Sequence, residues 1–191
     1  MESIIRDKAF YRRSGGGVTI SGGEPLEQAS FAEALLRECQ TSGIHTAIET
    51  CGYCEVNTLL RVLKVADYFL YDVKHCNSSL HKRYTRQPNE LILSNLRIVA
   101  KMGIPFLVRM PVIPGVNDDN ENLAHLGQII TSLGKNCEGV ELMPYHRLGV
   151  GKYDALRRTC EMSEMRSIGQ RECSVVKLSL EEKGIHCCIS Q

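Results

Sequence analysis

The stretch VTISGGEP, residues 18–25, decides the fold class of this chain. Its β-branched half predicts a strand over 18–21, and Gly22 and Gly23 end that strand in a turn. Residues 28–41 then predict a helix, because apolar side chains recur there at helical spacing. These side chains are Phe31, Leu35 and Cys39.

Short strands and amphipathic helices alternate through the rest of the chain. Four further runs are typical of strands: HTAIET at 45–50, YFLYDV at 68–73, PFLVRMPV at 105–112 and GVELMPY at 139–145. Helical spacing follows each of them, at Val56, Leu59, Leu60 and Leu63, at 89–102, at Leu123, Leu126, Ile130 and Leu133, and at about 161–183. The segment HCCIS, residues 186–190, is a candidate sixth strand.

Strands that alternate with crossover helices imply parallel pairing, because a tight hairpin cannot reach a parallel neighbour. Five or six such units are too few for a closed eight-fold barrel of about 250 residues. We therefore predict an α/β fold, a partial TIM-like (β/α) barrel with parallel strands, in which residues 1–191 form a single domain. Residues 1–14 resemble the end of a helix that leads directly into a strand. We thus expect the barrel to be truncated at the N-terminus and to lack its first strand.

Composition excludes several classes of protein. Hydrophobic residues make up 43% of the 191 residues and charged residues 24%, which is typical of a globular domain and not of a disordered chain. The 23 Lys and Arg nearly balance the 22 Asp and Glu, so a basic nucleic-acid-binding surface is not expected. No apolar run approaches the roughly 20 residues of a membrane span, and charges interrupt residues 1–13, where a signal peptide needs an apolar run. We predict a cytoplasmic protein with no nucleic-acid or membrane partner.

Nine cysteines are many for a chain of this length, but their spacing is not that of a disulfide-stapled secreted domain. We predict reduced, mostly buried thiols, which suit a reducing or anaerobic cytoplasm. Cys51 and Cys54 form a CxxC between a predicted strand and a predicted helix, a place where a redox dithiol or half of a zinc site also occurs. A thiol–disulfide oxidoreductase that uses this pair is therefore an alternative function.

Polar groups follow all five predicted strands at their carboxyl ends, where ligands bind in parallel βα folds. They are Gly22–Gly23–Glu24, Glu49–Thr50, Asp72–Val73–Lys74–His75, Arg109 with residues 114–118, and Tyr145–His146. Because the strands are predicted to be parallel, we expect these groups to form a single site. His146 taken alone suits either a ligand contact or an ordinary loop.

Each group also has a purely structural explanation. The glycine-rich turn suits either a tight connection or a backbone that, with Glu24 nearby, binds an ammonium group. Glu49 and Asp72 offer hard oxygen ligands for a cation or for ribose hydroxyls. They also suit helix capping, or a buried ion pair with Lys74 or Arg109.

Five ordered motifs resemble the glycyl-radical-enzyme activating enzymes of the radical S-adenosylmethionine (SAM) superfamily, and among them most closely the pyruvate formate-lyase activating enzymes. The motifs are GGGVTISGGEPLEQ at 15–28, IHTAIETCGY at 44–53, LYDVKH at 70–75, VRMPVIPGVNDD at 108–119 and ELMPYHRLG at 141–149. The similarity extends from about residue 10 to residue 153. It is more specific for the superfamily than for the enzyme that is activated.

The resemblance implies two sets of contacts to the methionine part of SAM. The set that binds its amino group is Gly22, Gly23 and Glu24. The set that forms a monovalent-cation site beside its carboxylate is Glu49, Thr50 and Asp72, with the backbone near Leu70. The family often has Asp where this chain has Glu49.

The resemblance also implies contacts to the rest of SAM. Polar residues that line the pocket are matched by Lys74, Arg109 and His146. Residues that pack near the adenine are matched by Ile113 and Gly115. In that last motif the chain has Pro111 where the superfamily often has Gly, and Asp118 where it often has Glu.

The superfamily holds a 4Fe–4S cluster with three cysteines in a CxxxCxxC motif, upstream of the amino-binding glycines. This chain has no cysteine before Gly22, and its nine cysteines show that spacing nowhere. We therefore expect the cluster ligands to be absent from this chain. Alone, the chain is expected to be inactive and to bind SAM weakly.

By resemblance, we expect a radical SAM oxidoreductase that reductively cleaves SAM and generates a glycyl radical on a partner such as pyruvate formate-lyase. The implied cofactors are SAM, the 4Fe–4S cluster and a monovalent cation. The implied electron donor is a flavodoxin or a ferredoxin-type protein. A non-catalytic SAM- or nucleotide-binding module is a further alternative.

Overall fold

The structure is a computed structural model that describes residues 1–147, 151, 157 and 164–190. Six strands of this described part form one sheet: β1 Gly17–Ile20, β2 His45–Thr50, β3 Tyr68–Asp72, β4 Phe106–Val112, β5 Cys137–Pro144 and β6 Cys187–Ile189. The helices are α1 Glu2–Arg6, α2 Lys8–Ser14, α3 Ala29–Thr41, α4 Val56–Leu63, α5 Ser78–Thr85, α6 Glu90–Lys101, α7 Asn120–Ser132 and α8 Gln170–Glu181. A 3-10 turn over Pro25–Gln28 precedes α3.

The strands lie in their sequence order, β1 to β6, and every neighbouring pair is parallel. Right-handed crossovers between consecutive parallel strands place their helices on the same face of the sheet. The other face remains open, as the inside of a barrel that does not close. The predicted α/β partial barrel is thereby confirmed.

Alternation along the strands separates these two faces. In β3, Phe69 and Tyr71 are fully buried in the main core, and the Tyr71 hydroxyl donates to the Ile92 carbonyl of α6. Leu70 and Asp72 alternate with them and are only half-buried. Successive side chains of a strand point to opposite sides of the sheet, so Leu70 and Asp72 face away from the helices. We call the side of the sheet that they occupy the inner face.

The apolar face predicted for α3 was only partly right, since Cys39 is buried as predicted but Phe31 is not. Phe31 is 66% exposed, whereas Ala32, Leu36 and Cys39 are buried at spacings of four and three residues. The buried stripe thus has Ala32 and Leu36 in place of Phe31 and Leu35, each one residue or about 100° further around the helix axis, and it keeps Cys39. A small Ala on the core side allows the helix to approach the sheet, and the large aromatic ring is left outside.

Two further elements differ from prediction. Helix α5, with the polar sequence SSLHKRYT, was not predicted; it begins after Asn77, whose side chain accepts a hydrogen bond from the Leu80 N–H. The last helix covers Gln170–Glu181, shorter than the predicted 161–183, of which residues 161–163 lie outside the described residues. HCCIS does form a strand, over Cys187–Ile189.

The eight cysteines within the described part are free thiols; Cys160 lies outside it. Three of the eight are buried and five are half-buried. In the same part of the chain, no helix is both long enough and apolar enough to cross a membrane.

Candidate functional site

The carboxyl ends of β1 to β5 lie along one edge of the sheet, because these strands run in the same direction. Asp72 of β3 is the register partner of Arg109 of β4, and Arg109 is in turn the partner of Glu141 of β5. Alternation places all three side chains on the inner face. We call this edge the strand-end site, and its polar side chains are Ser21, Glu24, Glu49, Asp72, Lys74, Arg109 and Glu141.

Glu24 connects the glycine turn after β1 to the end of β2. Its carboxylate accepts hydrogen bonds from the Leu26 N–H at 3.1 Å, the Thr50 hydroxyl at 2.6 Å and the Cys51 N–H at 2.9 Å. Both carboxylate oxygens are therefore engaged within the protein. Glu24 organises the turn, and direct contact of this carboxylate with a ligand would have to compete with these three donors.

Gly22 and Gly23 form the exposed part of the same turn. Gly22 has a φ of +117°, a backbone conformation that residues other than glycine rarely adopt. A Cβ atom added at either glycine would meet nothing within 4 Å. The turn thus presents bare backbone with open space beside it, which is the property that the predicted ammonium contact requires.

Arg109 joins two carboxylates on the inner face. Its Nη1 lies 2.8 Å from Glu49 Oε1, and its Nε lies 2.7 Å from Glu141 Oε2. The second contact is a charge contact without hydrogen-bond alignment, since Nε has no aligned acceptor among the described residues. The other oxygen of Glu49 accepts a hydrogen bond of 2.7 Å from the Ser21 hydroxyl. The ion pair that we considered as the structural explanation for Glu49 is therefore present.

Asp72 and Lys74 form a second ion pair, 3.1 Å between Oδ2 and Nζ. The other oxygen, Asp72 Oδ1, is buried and has no hydrogen-bond partner within the described part of the chain. Burial raises the pKa of Asp72. Burial, the largest single effect, acts to lower the pKa of Lys74. The charge of Asp72, its hydrogen bond to Lys74 and the nearby Cys51 and Glu24 together outweigh burial, so the pKa of Lys74 lies above its usual value. An unpaired buried acceptor is costly, so Oδ1 is suited to accept a cation or a ligand donor.

The turn after β4 holds the predicted adenine contacts. The Ile113 N–H donates to Asn117 Oδ1 at 2.9 Å, and the Gly115 N–H donates to Asp118 Oδ1 at 2.7 Å. Asn117 is fully buried, and its amide nitrogen donates to the Lys74 carbonyl at 2.9 Å. The segments that follow β3 and β4 are therefore joined to each other.

The three side chains of the predicted cation site are not all brought together. Glu49 and Asp72 share the inner face, but Thr50 points to the opposite face, where its hydroxyl donates to Glu24 and accepts from the Gly52 N–H. Both oxygens of Glu49 are also engaged. Of these three side chains, Asp72 offers the oxygen that is still available.

His146 follows β5 at the same edge and is exposed. Leu148 and Gly149, the end of the fifth motif, lie outside the described residues. Sequence reasoning missed Ser21 and Glu141 as members of the site. The signal for Glu141 was available, because a charged residue between two apolar neighbours in a strand must face the opposite side of the sheet.

The pKa values of the CxxC pair are shifted in the direction opposite to those of a redox dithiol. Burial, followed by the negative charge of Glu24, raises the pKa of both Cys51 and Cys54 to about 11. Reactive dithiols have lowered pKa values, because the thiolate is the nucleophile. The thiol–disulfide alternative is therefore disfavoured. Within residues 1–147, 151, 157 and 164–190, no group of three or more His, Cys, Asp or Glu is placed to hold a metal ion.

A family model described as the radical SAM superfamily matches residues 2–127, which include β1 to β4 and the polar residues at their ends. The chain belongs to the radical SAM superfamily. Radical SAM membership agrees with the resemblance of the five motifs and with the open parallel sheet.

Curated relatives of this radical SAM chain are activating enzymes. The isethionate sulfite-lyase activating enzyme of Desulfovibrio desulfuricans is 48% identical over 164 residues, which are 85% of this chain and 52% of that protein. The trans-4-hydroxy-L-proline dehydratase activating enzyme of Clostridioides difficile is 38% identical over 182 residues, 95% of this chain and 60% of that protein. The chain thus spans little more than half the length of these relatives.

A solved structure shows the same similarity. A crystal structure of a domain of pyruvate-formate lyase-activating enzyme from Bacteroides vulgatus superposes with a TM-score of 0.76 at 31% identity, and covers 92% of this chain and 99% of that domain. The expected resemblance to glycyl-radical-enzyme activating enzymes is confirmed.

Proposed function

We propose that this radical SAM chain binds SAM at the strand-end site as part of an activating enzyme, which cleaves SAM reductively and generates a glycyl radical on a partner enzyme. The relatives support the class of enzyme, because they are named for the activation of different lyases and dehydratases. One observation carries the site: Asp72 Oδ1 is a buried, unpaired acceptor at the edge where all the strand-end polar groups meet.

The charge of the strand-end site supports a cationic ligand. Its ionisable side chains are four carboxylates, Glu24, Glu49, Asp72 and Glu141, and two cations, Lys74 and Arg109. SAM is a net cation at neutral pH, because its sulfonium and ammonium groups outnumber its carboxylate. An acidic, partly buried site attracts such a ligand more strongly than a neutral thioether analogue.

The chain's own residues would divide the binding of SAM among them. The bare backbone at Gly22 and Gly23 would accept the ammonium group, and Lys74 would pair with the methionine carboxylate. Asp72 Oδ1 would accept a monovalent cation or a ligand donor. Contacts with the rest of SAM would come from Arg109, Ile113, Gly115 and His146. Bound SAM supplies the 5′-deoxyadenosyl group that the activation of a glycine requires.

The residues of this chain do not fit a 4Fe–4S cluster. Such clusters are held by cysteine thiolates, and the CxxxCxxC spacing occurs nowhere in the sequence. Cys51 and Cys54 supply two thiols in a CxxC spacing, one fewer than the three of the cluster motif.

The proposed function also includes a partner enzyme, an electron donor and a cellular location. We propose a glycyl radical enzyme of the pyruvate formate-lyase type as the partner, and a flavodoxin or ferredoxin-type protein as the electron donor. The free thiols of the described cysteines suit a reducing compartment. The cytoplasm is such a compartment, and we propose it as the location.

Binding of SAM to the 191-residue chain, measured by isothermal titration calorimetry, tests the site. We expect weak binding of SAM, weaker binding of S-adenosylhomocysteine, and loss of SAM binding in Asp72→Asn, which keeps the shape and removes the charge. The matched control is Glu38→Gln, an exposed carboxylate of α3. Equal affinity of the Asp72→Asn variant and the original chain would remove Asp72 from the site. Failure of the original chain to bind SAM at any concentration would remove the site itself.

Two anaerobic experiments test the reaction. After reconstitution with iron and sulfide, the chain alone is expected to form no 5′-deoxyadenosine from SAM. A stoichiometric 4Fe–4S signal in electron paramagnetic resonance, together with SAM cleavage, would contradict this expectation. In a chimera, the chain replaces the matching strands of the Desulfovibrio activating enzyme, and we expect a glycyl radical signal on isethionate sulfite-lyase. SAM binding without any radical would instead favour a non-catalytic SAM-binding module.

A further inference from the structure

We infer that Glu141 is a positioning residue of the strand-end site: its carboxylate holds the Arg109 guanidinium away from Asp72 and so leaves one Asp72 oxygen available to a ligand. The identity of that ligand rests on the proposed function. The arrangement of the three side chains does not, because it follows from strand register and side-chain contacts alone.

Asp72 and Arg109 are the pair that the sheet would join by default. They are register partners on neighbouring strands and both face inward. Opposite charges one strand spacing apart on the same face of a sheet attract each other. The ion pairs of Arg109 nevertheless go to Glu49 and Glu141, and Asp72 Oδ1 is left without a hydrogen-bond partner among the residues described.

The negative charge of Glu141 attracts the Arg109 guanidinium away from Asp72. It is the register partner of Arg109 on the opposite side, in β5, so Arg109 lies between a carboxylate on β3 and one on β5. The side chains of Arg109 and Glu141 are only 15% and 21% exposed, and solvent screens such a pair less than it screens a surface pair. The Arg109 side chain extends across β3, so that its Nη1 contacts Glu49 on β2 while its Nε remains in contact with Glu141 on β5.

The contact between Arg109 Nε and Glu141 depends on the opposite charges of the two groups and not on hydrogen-bond geometry. The two atoms are 2.7 Å apart but not aligned as donor and acceptor. A neutral Gln of the same shape therefore cannot replace Glu141, whereas a shorter Asp, which keeps the charge, can. Without a negative charge at 141, the nearest carboxylate in register with Arg109 is Asp72, and we expect the guanidinium to pair with it.

Three variants of the full chain test this inference: Glu141→Gln, Glu141→Asp and, as control, Glu138→Gln. Glu138 is on the same strand and accepts a hydrogen bond from the Tyr68 hydroxyl at 2.6 Å, and it has no ion pair with Arg109 among the described contacts. In crystal structures, we expect Arg109 to contact Asp72 in Glu141→Gln only. By calorimetry, we expect SAM affinity to fall by about tenfold in Glu141→Gln and by no more than about twofold in the other two variants.

The outcomes separate the inference from the proposed function. If Asp72 Oδ1 stays unpaired in Glu141→Gln, the inference is wrong, whether or not the chain binds SAM. If Glu138→Gln weakens SAM binding as much as Glu141→Gln does, the effect is one of overall charge, and the inference is again wrong. If no variant binds SAM, the proposed function fails while the crystal structures still decide the role of Glu141. Should Glu141→Gln not fold, Glu141→Met removes the same charge at a similar volume.

Discussion

The buried amide of Asn117 donates a hydrogen bond of 2.9 Å to the backbone carbonyl of Lys74, so the turn after β4 holds the segment after β3. The same amide nitrogen donates to the Pro111 carbonyl at 2.6 Å, and its oxygen accepts from the Ile113 N–H. Asn95 of α6 acts similarly on the loop after β2, where it donates to the carbonyls of Gly52 and Cys54. Buried amides thus hold the loops that follow β2, β3 and β4.

Replacement of Asn117 by Ala would remove the hydrogen-bond partner of the buried Ile113 N–H and of the part-buried carbonyls of Lys74 and Pro111. We expect the free energy of unfolding to fall by about 2–4 kcal/mol, because each unsatisfied buried group carries its full desolvation cost. Urea denaturation measures this change. The control is Asn120→Ala, since Asn120 is exposed at the start of α7 and should change stability by no more than about 0.5 kcal/mol. Equal stability of the two variants would contradict the role of Asn117.

Glu24 should be sensitive to the loss of a single acceptor. One carboxylate oxygen of Glu24 accepts from the Thr50 hydroxyl and the other from the Cys51 N–H. In Glu24→Gln, one of these oxygens becomes an NH2 group, so two hydrogen-bond donors face each other at that position. We expect a loss of about 1–3 kcal/mol in the free energy of unfolding, and weaker SAM binding because the glycine turn is loosened. Glu27→Gln, an exposed change in the same turn, is the control. A Glu24→Gln variant as stable as this control would show that the three hydrogen bonds contribute little.

Two glycines with positive φ provide a matched pair. Gly52 has a φ of +66°, and a Cβ atom there would overlap the Tyr71 hydroxyl, which is itself bonded to the Ile92 carbonyl. Gly115 has a φ of +72° but open space around it. We expect Gly115→Ala to cost about 1 kcal/mol through backbone strain alone, and Gly52→Ala to cost at least about 3 kcal/mol because strain and overlap combine. Thermal unfolding followed by circular dichroism measures both, and similar losses would contradict the predicted overlap.

Stability should fall in alkaline solution because of the buried thiols. The pKa of Cys51 and Cys54 is raised from 9.0 to about 11 in the folded chain, and that of Cys76 and Cys187 to about 12. The unfolded chain therefore loses thiol protons from about pH 9, while the folded chain keeps them. The contribution of these groups is fully present below about pH 9, and it is lost as the pH rises through about 11 for Cys51 and Cys54 and through about 12 for Cys76 and Cys187.

Urea midpoints measured across this pH range test the prediction. We expect the midpoint to decrease continuously above about pH 9, and to decrease less steeply in a variant with both Cys51→Ser and Cys54→Ser. An unchanged slope in that double variant would show that other groups cause the alkaline effect.

Elements with strong apolar patterns were predictable from the sequence, and elements held by tertiary contacts were not. Strand β2 was predicted at its observed bounds, His45–Thr50, and the predicted stripe of α7 is buried as expected. The face of α3 was only partly predicted, because burial of the small Ala32 depends on how closely the helix approaches the sheet. Helix α5 was missed because its sequence is polar; a side-chain cap at Asn77 and the buried His81 hold it in place.

The sequence alone predicted five of the seven polar side chains of the strand-end site, and it missed Ser21 and Glu141. Strand positions follow from local patterns, and parallel strands necessarily bring their carboxyl ends to the same edge. Only the tertiary structure decided which of these charged side chains form ion pairs. The partners depend on strand register and on how far each side chain reaches, and neither can be inferred from separation along the sequence. Arg109 contacts Glu49 and Glu141, although Asp72 is its register partner on β3. That choice leaves an Asp72 oxygen unpaired among the described residues, and the proposed site depends on it.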